Sequence, residues 1–167
     1  LIRPEATGYG AVYFAAEMLA TRDDTLAGKV CLVSGSGNVA QYTIAKLLDL
    51  EAKPVTFSDS SGYVYDAAGI DRDKLAFLMH LKNIRRGRVE EYVERFPDAV
   101  YTAVDPRAGA NPLWSHAAQC AFPSATQNEI SGRDAGQLLR NGVVVISEGA
   151  NMPSTIEAVE QFVDARI

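Results

Sequence analysis

Residues 29–40, KVCLVSGSGNVA, decide the fold of this 167-residue chain. The first six, KVCLVS over 29–34, are apolar and β-branched and stop at Gly35, as a buried parallel strand does. From Asn38 onward the pattern changes. Ile44, Leu47 and Leu48 recur at helical spacing and predict a helix over 38–50. The six residues at the junction, Gly35-Ser36-Gly37-Asn38-Val39-Ala40, have a physical logic of their own. Gly35 allows a tight turn, Gly37 lets the backbone approach a pyrophosphate, and Ala40 is small enough for close helix–strand packing. The helix start then offers free N–H groups and the positive end of its dipole to an anion. A glycine turn alone is a weak signal. With a strand before it and a helix after it, nucleotide binding outweighs the plain reading of a tight turn.

The same alternation continues in both directions. Val12, Phe14, Ala15, Ala16 and Leu19 predict a largely buried helix over 11–20. A second strand is expected over 54–58, with Pro54 at its start where a missing donor is tolerated. A short extended piece follows over 62–66. Helices are expected over 71–86, with Asp71 as N-cap, and over 88–96. Later strands fall at 100–102, 119–122 and 143–147. An amphipathic helix over 131–141 ends at Gly142, and a last helix spans 153–164 with Pro153 near its first turn. Residues 105–114 (DPRAGANPLW) read as an irregular surface loop. Strand–helix–strand order with short connections predicts an α/β fold: Rossmann-like, doubly wound, with a mostly parallel sheet and helices on both faces. The whole of 1–167 is expected to be one nucleotide-binding domain.

Composition agrees. Apolar residues make up 47% and charged residues 22%, which excludes a disordered tail, a collagen-like fibre and a simple coiled coil. No apolar run approaches the roughly 20 residues of a membrane span. A net charge of −5 leaves no global basic footprint, so neither nucleic acid nor membrane is an expected partner. Cys31 and Cys120, the only cysteines, read as buried free thiols of a reducing, cytoplasmic compartment rather than as a bridge. His80 and His116 lack metal-ligand neighbours, so no metal site is expected.

The choice of nucleotide stays open on these grounds. Asp59 lies 22 residues beyond Gly37, where a carboxylate ordinarily hydrogen-bonds the ribose 2′-OH of NAD. Three serines around it, Ser58, Ser60 and Ser61, could instead hydrogen-bond a 2′-phosphate. A cluster of cations follows, Lys82, Arg85, Arg86 and Arg88, and arginine forks suit phosphate oxygens. The bland reading of that cluster is a solvated helix end. NADP and NAD stand equal at this point.

Five motifs together carry a resemblance: RPEATGYG over 3–10, VSGSGNVAQ over 33–41, FSDSSG over 57–62, AFPSATQNEIS over 121–131 and EGANMPST over 148–155. They resemble the cofactor-binding domain of the hexameric, NADP-dependent glutamate dehydrogenases over essentially the whole chain. The resemblance implies reversible oxidative deamination of L-glutamate to 2-oxoglutarate and ammonia with NADP(H), in a homo-hexamer. It also assigns residues. Ser60, Lys82 and Arg85 would hold the 2′-phosphate, with Asp59 accepting from nearby donors. Ser36, Asn38 and Val39, beside Gly35 and Gly37, would contact the pyrophosphate. Thr7 would hydrogen-bond the nicotinamide carboxamide. Asn128 would lie near the nicotinamide and its ribose, Asn151 would face the nicotinamide end, and Ala125 and Thr126 would line the crevice.

Capping is the plain alternative for Thr7, Asn38 and Asn151, since these are common cap residues. Two positions depart from the family's pattern. Ser124 stands where Cys is usual, a near-isosteric change. Gln119 stands where Asp is usual, which removes a charge expected beside the crevice and puts one hydrogen bond in doubt. The 105–114 loop is longer than the family suggests and reads as an insertion. The family's catalytic lysine and aspartate belong to a substrate domain expected before Leu1, and its closing helices are expected after Ile167. These 167 residues therefore hold no expected catalytic residue, and the piece should bind cofactor without turning over glutamate.

Overall fold

The structure, a computed structural model, describes residues 2–105 and 107–167. Four strands run parallel: β1 (Val30–Val33), β2 (Lys53–Pro54), β6 (Cys120–Phe122) and β7 (Val145–Ile146), in the order β2-β1-β6-β7. Three more, β3 (Thr56–Ser58), β4 (Gly62–Tyr65) and β5 (Val100–Ala103), pair antiparallel in chain order. The two groups meet in one extended segment, because only Val55 separates β2 from β3. Val55 N–H bonds Cys31 O at 3.0 Å and Ser58 N–H bonds Gly35 O at 3.0 Å. Between them the regular ladder is interrupted. The Thr56 hydroxyl accepts from Val33 N–H at 2.9 Å and donates to Val33 O at 3.0 Å, satisfying both backbone groups through a side chain. The strand expected over 54–58 is thus a pair of short strands with a break, and the piece at 62–66 is a true strand.

Alternate strand residues enter two separate cores. Cys31, Val33, Phe57, Val64, Cys120 and Phe122 point into one, against Val12, Ala15 and Leu19 of α1 (Ala6–Ala20), Ile44 and Leu47 of α2 (Asn38–Asp49), and Leu75 and Leu78 of α3 (Arg72–His80). Leu32, Val55, Tyr63 and Ala121 enter the other. There they meet Ala135 and Leu138 of α5 (Gly132–Arg140), Ala158 and Phe162 of α6 (Ile156–Ala165), and Trp114. Period-two alternation with both faces covered is why β1 reads as continuously apolar. Full burial of each large apolar side chain is worth roughly 1.5–3 kcal/mol. Cys31 and Cys120 are buried, free and in register across β1 and β6.

Several element ends differ from expectation. Helix α1 begins at Ala6 rather than 11, through a stretch whose glycines read as poor helix formers. Packing overrides propensity there: a Cβ on Gly8 would lie 2.6 Å from Thr43 N and Val39 O of α2. Asp71 caps α3, accepting from Lys74 N–H at 2.9 Å, but the helix stops at His80. A π-helical turn over Leu81–Arg85 follows, ended by Arg86 at φ +58°. The helix expected over 88–96 divides into a 3-10 turn (Val89–Glu91) and α4 (Tyr92–Arg95). Ser131 and Asp134 form a capping box on α5, and Gly142 follows it at φ +92°. Helix α6 starts at Ile156 with Thr155 as cap, three residues past Pro153. The 105–114 segment, apart from Pro106, which lies outside the described residues, is only partly a surface loop. It ends in a 3-10 turn (Pro112–Ser115) whose Leu113 and Trp114 are fully buried. Trp114 Nε1 donates to Glu129 O at 3.2 Å, so the segment is anchored by its aromatic residue. Among the described residues, no helix is long and apolar enough to cross a membrane.

Candidate functional site

A crevice opens at the carboxyl ends of β1 and β6, where open α/β sheets receive ligands. Its floor is the turn after β1. Gly35 sits at φ +80°, and a Cβ there would lie 2.8 Å from Ser124 O, so both conformation and contact demand glycine. Gly35 N–H donates to Ser58 Oγ at 2.7 Å, which locks the turn to the end of β3. Gly37 is different. It has φ −83°, open to any residue, and nothing lies within 4 Å of a Cβ placed on it. The fold does not require glycine at 37. Gly37 is also the N-cap of α2, and among the described residues no side chain caps that helix. The first-turn N–H groups of Asn38, Val39 and Ala40 therefore have no side-chain acceptor, beside a position where a ligand can approach the backbone.

The cleft over this helix start has a volume of about 570 Å³ and is lined by residues 35–39, Ser58, Asp59, Ser60 and residues 124–126. Across Val39 and residues 124–126 it continues into a second pocket of about 380 Å³, which adds Thr7, Gln127, Gly149, Ala150 and Asn151. Thr7 reaches it because α1 packs on α2 at Gly8 and because Asn38 Nδ2 donates to Pro4 O at 2.9 Å. Asn38 is therefore the first residue of α2 and a tether for the segment before α1, not a cap. Thr7 lies inside α1, whose cap position is Glu5. Asn151 lies before Thr155, the true cap of α6. None of the three capping alternatives holds. Asn151 is carried by a loop in which Gly149 and Ala150 both donate to Pro123 O, at 2.9 and 3.0 Å. Gly149 fits because a Cβ would lie 2.8 Å from Ser124 Oγ.

The other end of the crevice holds the charges. Asp59 begins the β3–β4 turn with its side chain only 7% exposed. Its Oδ1 accepts Ser61 N–H at 2.9 Å and Ser61 O–H at 2.7 Å. Its Oδ2 accepts Val89 N–H at 3.0 Å and faces Lys82 Nζ at 3.5 Å. Burial alone would push this carboxyl up, but the hydrogen bonds from Ser61 and Val89, with Lys82 beside them, hold it below its usual value. Lys82 Nζ also donates to Gly87 O at 2.8 Å. Arg88 Nη1 donates to Ser60 Oγ at 2.9 Å.

Arg85 does not join this group: its Nη2 donates to Glu91 Oε2 at 2.7 Å. The resemblance implies that Lys82 and Arg85 act together on a 2′-phosphate. The π-helical turn and the Glu91 partner separate them, and Arg88 is the arginine at Ser60. Asn83, in the same turn, makes a two-way amide pair with buried Gln41 at 3.0 Å, and Gln41 Nε2 donates to Ser36 O at 2.8 Å. The turn that carries Lys82 is thereby tied to the glycine turn.

Two further placements correct the sequence reading, those of Asn128 and Gln119, and a third locates Ser124. Asn128, at φ +52° with its N–H on Met152 O, lines a neighbouring groove with Ser60 and Asn111, while Gln127 lines the Thr7 pocket. Gln119 stands at the amino end of β6, a strand's length from the crevice, and its Oε1 accepts Val30 N–H at 2.8 Å, so the hydrogen bond in doubt is made. Ser124 is buried with its hydroxyl donating to Phe122 O at 3.1 Å. A separate groove of about 430 Å³ lies between α5, α6 and the 3-10 turn at 112–115. The helix start beside it, that of α5, is already capped by Ser131 and Asp134, so it offers an anion far less than the bare start of α2.

Comparison with known proteins shows the family of the chain. The family model described as Glutamate/Leucine/Phenylalanine/Valine dehydrogenase matches residues 1–167. The chain belongs to this dehydrogenase family. Among its relatives, an NAD(P)-specific glutamate dehydrogenase of Xylanibacter ruminicola is 57% identical over 167 residues, covering 100% of this chain and 36% of the relative. An NADP-specific glutamate dehydrogenase of Helicobacter pylori strain J99 is 55% identical over 169 residues, covering 100% and 37%. The crystal structure of Plasmodium falciparum glutamate dehydrogenase superposes with a TM-score of 0.91 at 41% identity, over 98% of this chain and 34% of that one. The chain thus spans little more than a third of the length of the curated relatives it matches. Crevice residues that the sequence did not place are set by tertiary geometry: Arg88, read only as one of four cations but found at Ser60, and Gln127 and Gly149, brought in by loop packing.

Proposed function

We propose that residues 1–167 form a Rossmann-like, doubly wound domain that binds NADP(H) for a glutamate dehydrogenase. The observation that carries this reading is the continuous crevice from Ser60 and Arg88, over the bare start of α2, to Thr7 and Asn151. It has the parts a dinucleotide requires: a cationic, hydroxyl-bearing end, a helix start for the pyrophosphate, and a polar pocket beyond it.

The state of Asp59 favours the 2′-phosphate form. Four donors already use its two oxygens, so it has little to offer a ribose 2′-OH. Ser60, Arg88 and Lys82 supply donors and positive charge instead. Gly35, Ser36, Gly37, Asn38 and Val39 would hold the pyrophosphate, with Asn38 acting through its backbone because its side-chain amide is engaged with Pro4. Thr7, Ala125, Thr126, Gln127 and Asn151 would surround the nicotinamide, with Asn128 in the adjoining groove. When bound, the nicotinamide gives or accepts the hydride exchanged with L-glutamate or 2-oxoglutarate and ammonia. The groups that move protons on the substrate are assigned by the resemblance to a separate domain, and the full protein to a cytoplasmic homo-hexamer.

Titration of the purified chain with NADPH and NADH, followed by nicotinamide fluorescence, tests the reading. Saturable NADPH binding, at least about tenfold tighter than NADH, is expected from one or two charge-assisted hydrogen bonds. Equal affinities would remove the 2′-phosphate assignment. Absence of any binding would remove the cofactor reading.

A further inference from the structure

Glu129 lies behind the crevice. Its Oε1 accepts Ala125 N–H at 2.9 Å and Thr126 N–H at 3.2 Å. The preceding N–H, that of Ser124, donates to Ser34 Oγ at 2.8 Å, and the Ser34 side chain is near enough to Glu129 to favour its charged form. Three successive N–H groups of one loop thus turn inward onto two neighbouring side chains, two onto Glu129 and one onto Ser34 at the end of β1. Trp114 Nε1 holds Glu129 from the other side through its carbonyl. Such a cradle of consecutive N–H groups resembles an anion-binding nest, here occupied by the protein's own carboxylate. The loop therefore lends none of these three N–H groups to a ligand. It serves as a wall shared by the pyrophosphate cleft and the Thr7–Asn151 pocket.

We propose that Glu129 is a positioning residue for the nicotinamide end of the cofactor: by taking the Ala125 and Thr126 N–H groups, it fixes residues 124–127 in the shape that completes the pocket with Thr7 and Asn151. The inference rests on the cofactor reading above. Burial pushes this carboxyl up, and the Glu148 charge adds to that, while the Ser34 hydroxyl and the two N–H groups oppose it. An acidic side chain is thus kept where burial penalises its charge, in a loop that forms the ligand wall. Because one oxygen receives both N–H groups, glutamine can replace the function: its carbonyl accepts them and its amide can donate to Ser34. Alanine cannot.

The test compares two ligands, NADPH and adenosine 2′,5′-bisphosphate, which lacks the nicotinamide. Glu129→Ala is expected to weaken NADPH about tenfold while changing adenosine 2′,5′-bisphosphate by less than about twofold, and Glu129→Gln to restore NADPH. If Glu129→Ala shows no cooperative thermal unfolding, Glu129→Asp, whose shorter side chain withdraws from the loop, is read in the same way. Unchanged NADPH affinity, equal weakening of both ligands, or failure of Glu129→Gln to restore binding each overturns the inference and leaves the cofactor reading standing. A native chain that binds neither ligand overturns the cofactor reading and this inference with it.

Discussion

Arg88 and Ser60 are joined by a hydrogen bond of 2.9 Å from Nη1 to Oγ across 28 residues of sequence. The contact closes the charged end of the crevice and separates Arg88 from Arg85, which is paired with Glu91. Arg88→Ala is expected to weaken NADPH by about 1.5–3 kcal/mol, roughly tenfold to a hundredfold, with little effect on NADH. Arg85→Ala should cost less, since an exposed ion pair is worth only about 0–1 kcal/mol. Parallel titrations of the two variants with both nucleotides measure the difference. A larger loss of NADPH from Arg85→Ala would return that residue to the 2′-phosphate.

Gly35 and Gly37 stand one residue apart and serve different ends. Gly35→Ala forces a side chain into φ +80° and against Ser124 O, and should lower stability by more than about 1–2 kcal/mol whether or not ligand is present. Gly37→Ser meets no neighbour and supplies a hydroxyl suited to cap α2, so stability should hold or rise by a few tenths of a kcal/mol, on the order of a cap gain over glycine. The same hydroxyl fills the approach to the helix start, and NADPH affinity should fall. Thermal unfolding alongside titration separates the two outcomes. A Gly37→Ser chain that binds as the native one does would contradict the pyrophosphate assignment.

Much of this was legible in the sequence, and the misses share a cause. The strands, apart from the break at Val55, the glycine turn and the cap Asp71 follow from local chemistry and stand close to where that chemistry predicts. The start of α1 does not, because Gly8, a poor helix former by itself, serves the close packing of α1 on α2. Arg88 was seen as one of four cations but not as the one at Ser60, because a π-helical turn shifts every side chain after Leu81. Trp114 lay in a stretch rich in turn residues, and only the tertiary structure shows it capped beneath by Glu129 O.

Trp114 is accordingly an anchor. Trp114→Ala should destabilise the chain by about 3–5 kcal/mol, as for other buried aromatic truncations. Chemical denaturation monitored by far-UV circular dichroism measures it. A loss under about 1 kcal/mol would mean that the segment is the loose surface loop its sequence suggests.

Asp59 links stability to pH. Its carboxyl titrates below the usual value of 3.8 in the folded chain, so the folded state favours the ionised form. Its contribution is fully present above that value and is lost as pH falls below it through the lower folded value. Asp59→Asn should therefore destabilise the chain at neutral pH, by about 1–3 kcal/mol for a weakened buried hydrogen-bond network, and shrink this part of the acid dependence. Unfolding curves of both proteins from pH 7 to pH 3 provide the check. Parallel acid profiles for the two would show that Asp59 is not held in its charged form.

The location of the cofactor is tested most directly by chemical-shift mapping of the isotopically labelled chain with NADP+. The expected result is a contiguous set of shifted amides over 35–39, 58–60, 88–89, 124–127 and 149–151. Shifts confined to Gln137, Arg140 and Gln161, in the groove between α5 and α6, would place the ligand on the wrong face and contradict the account.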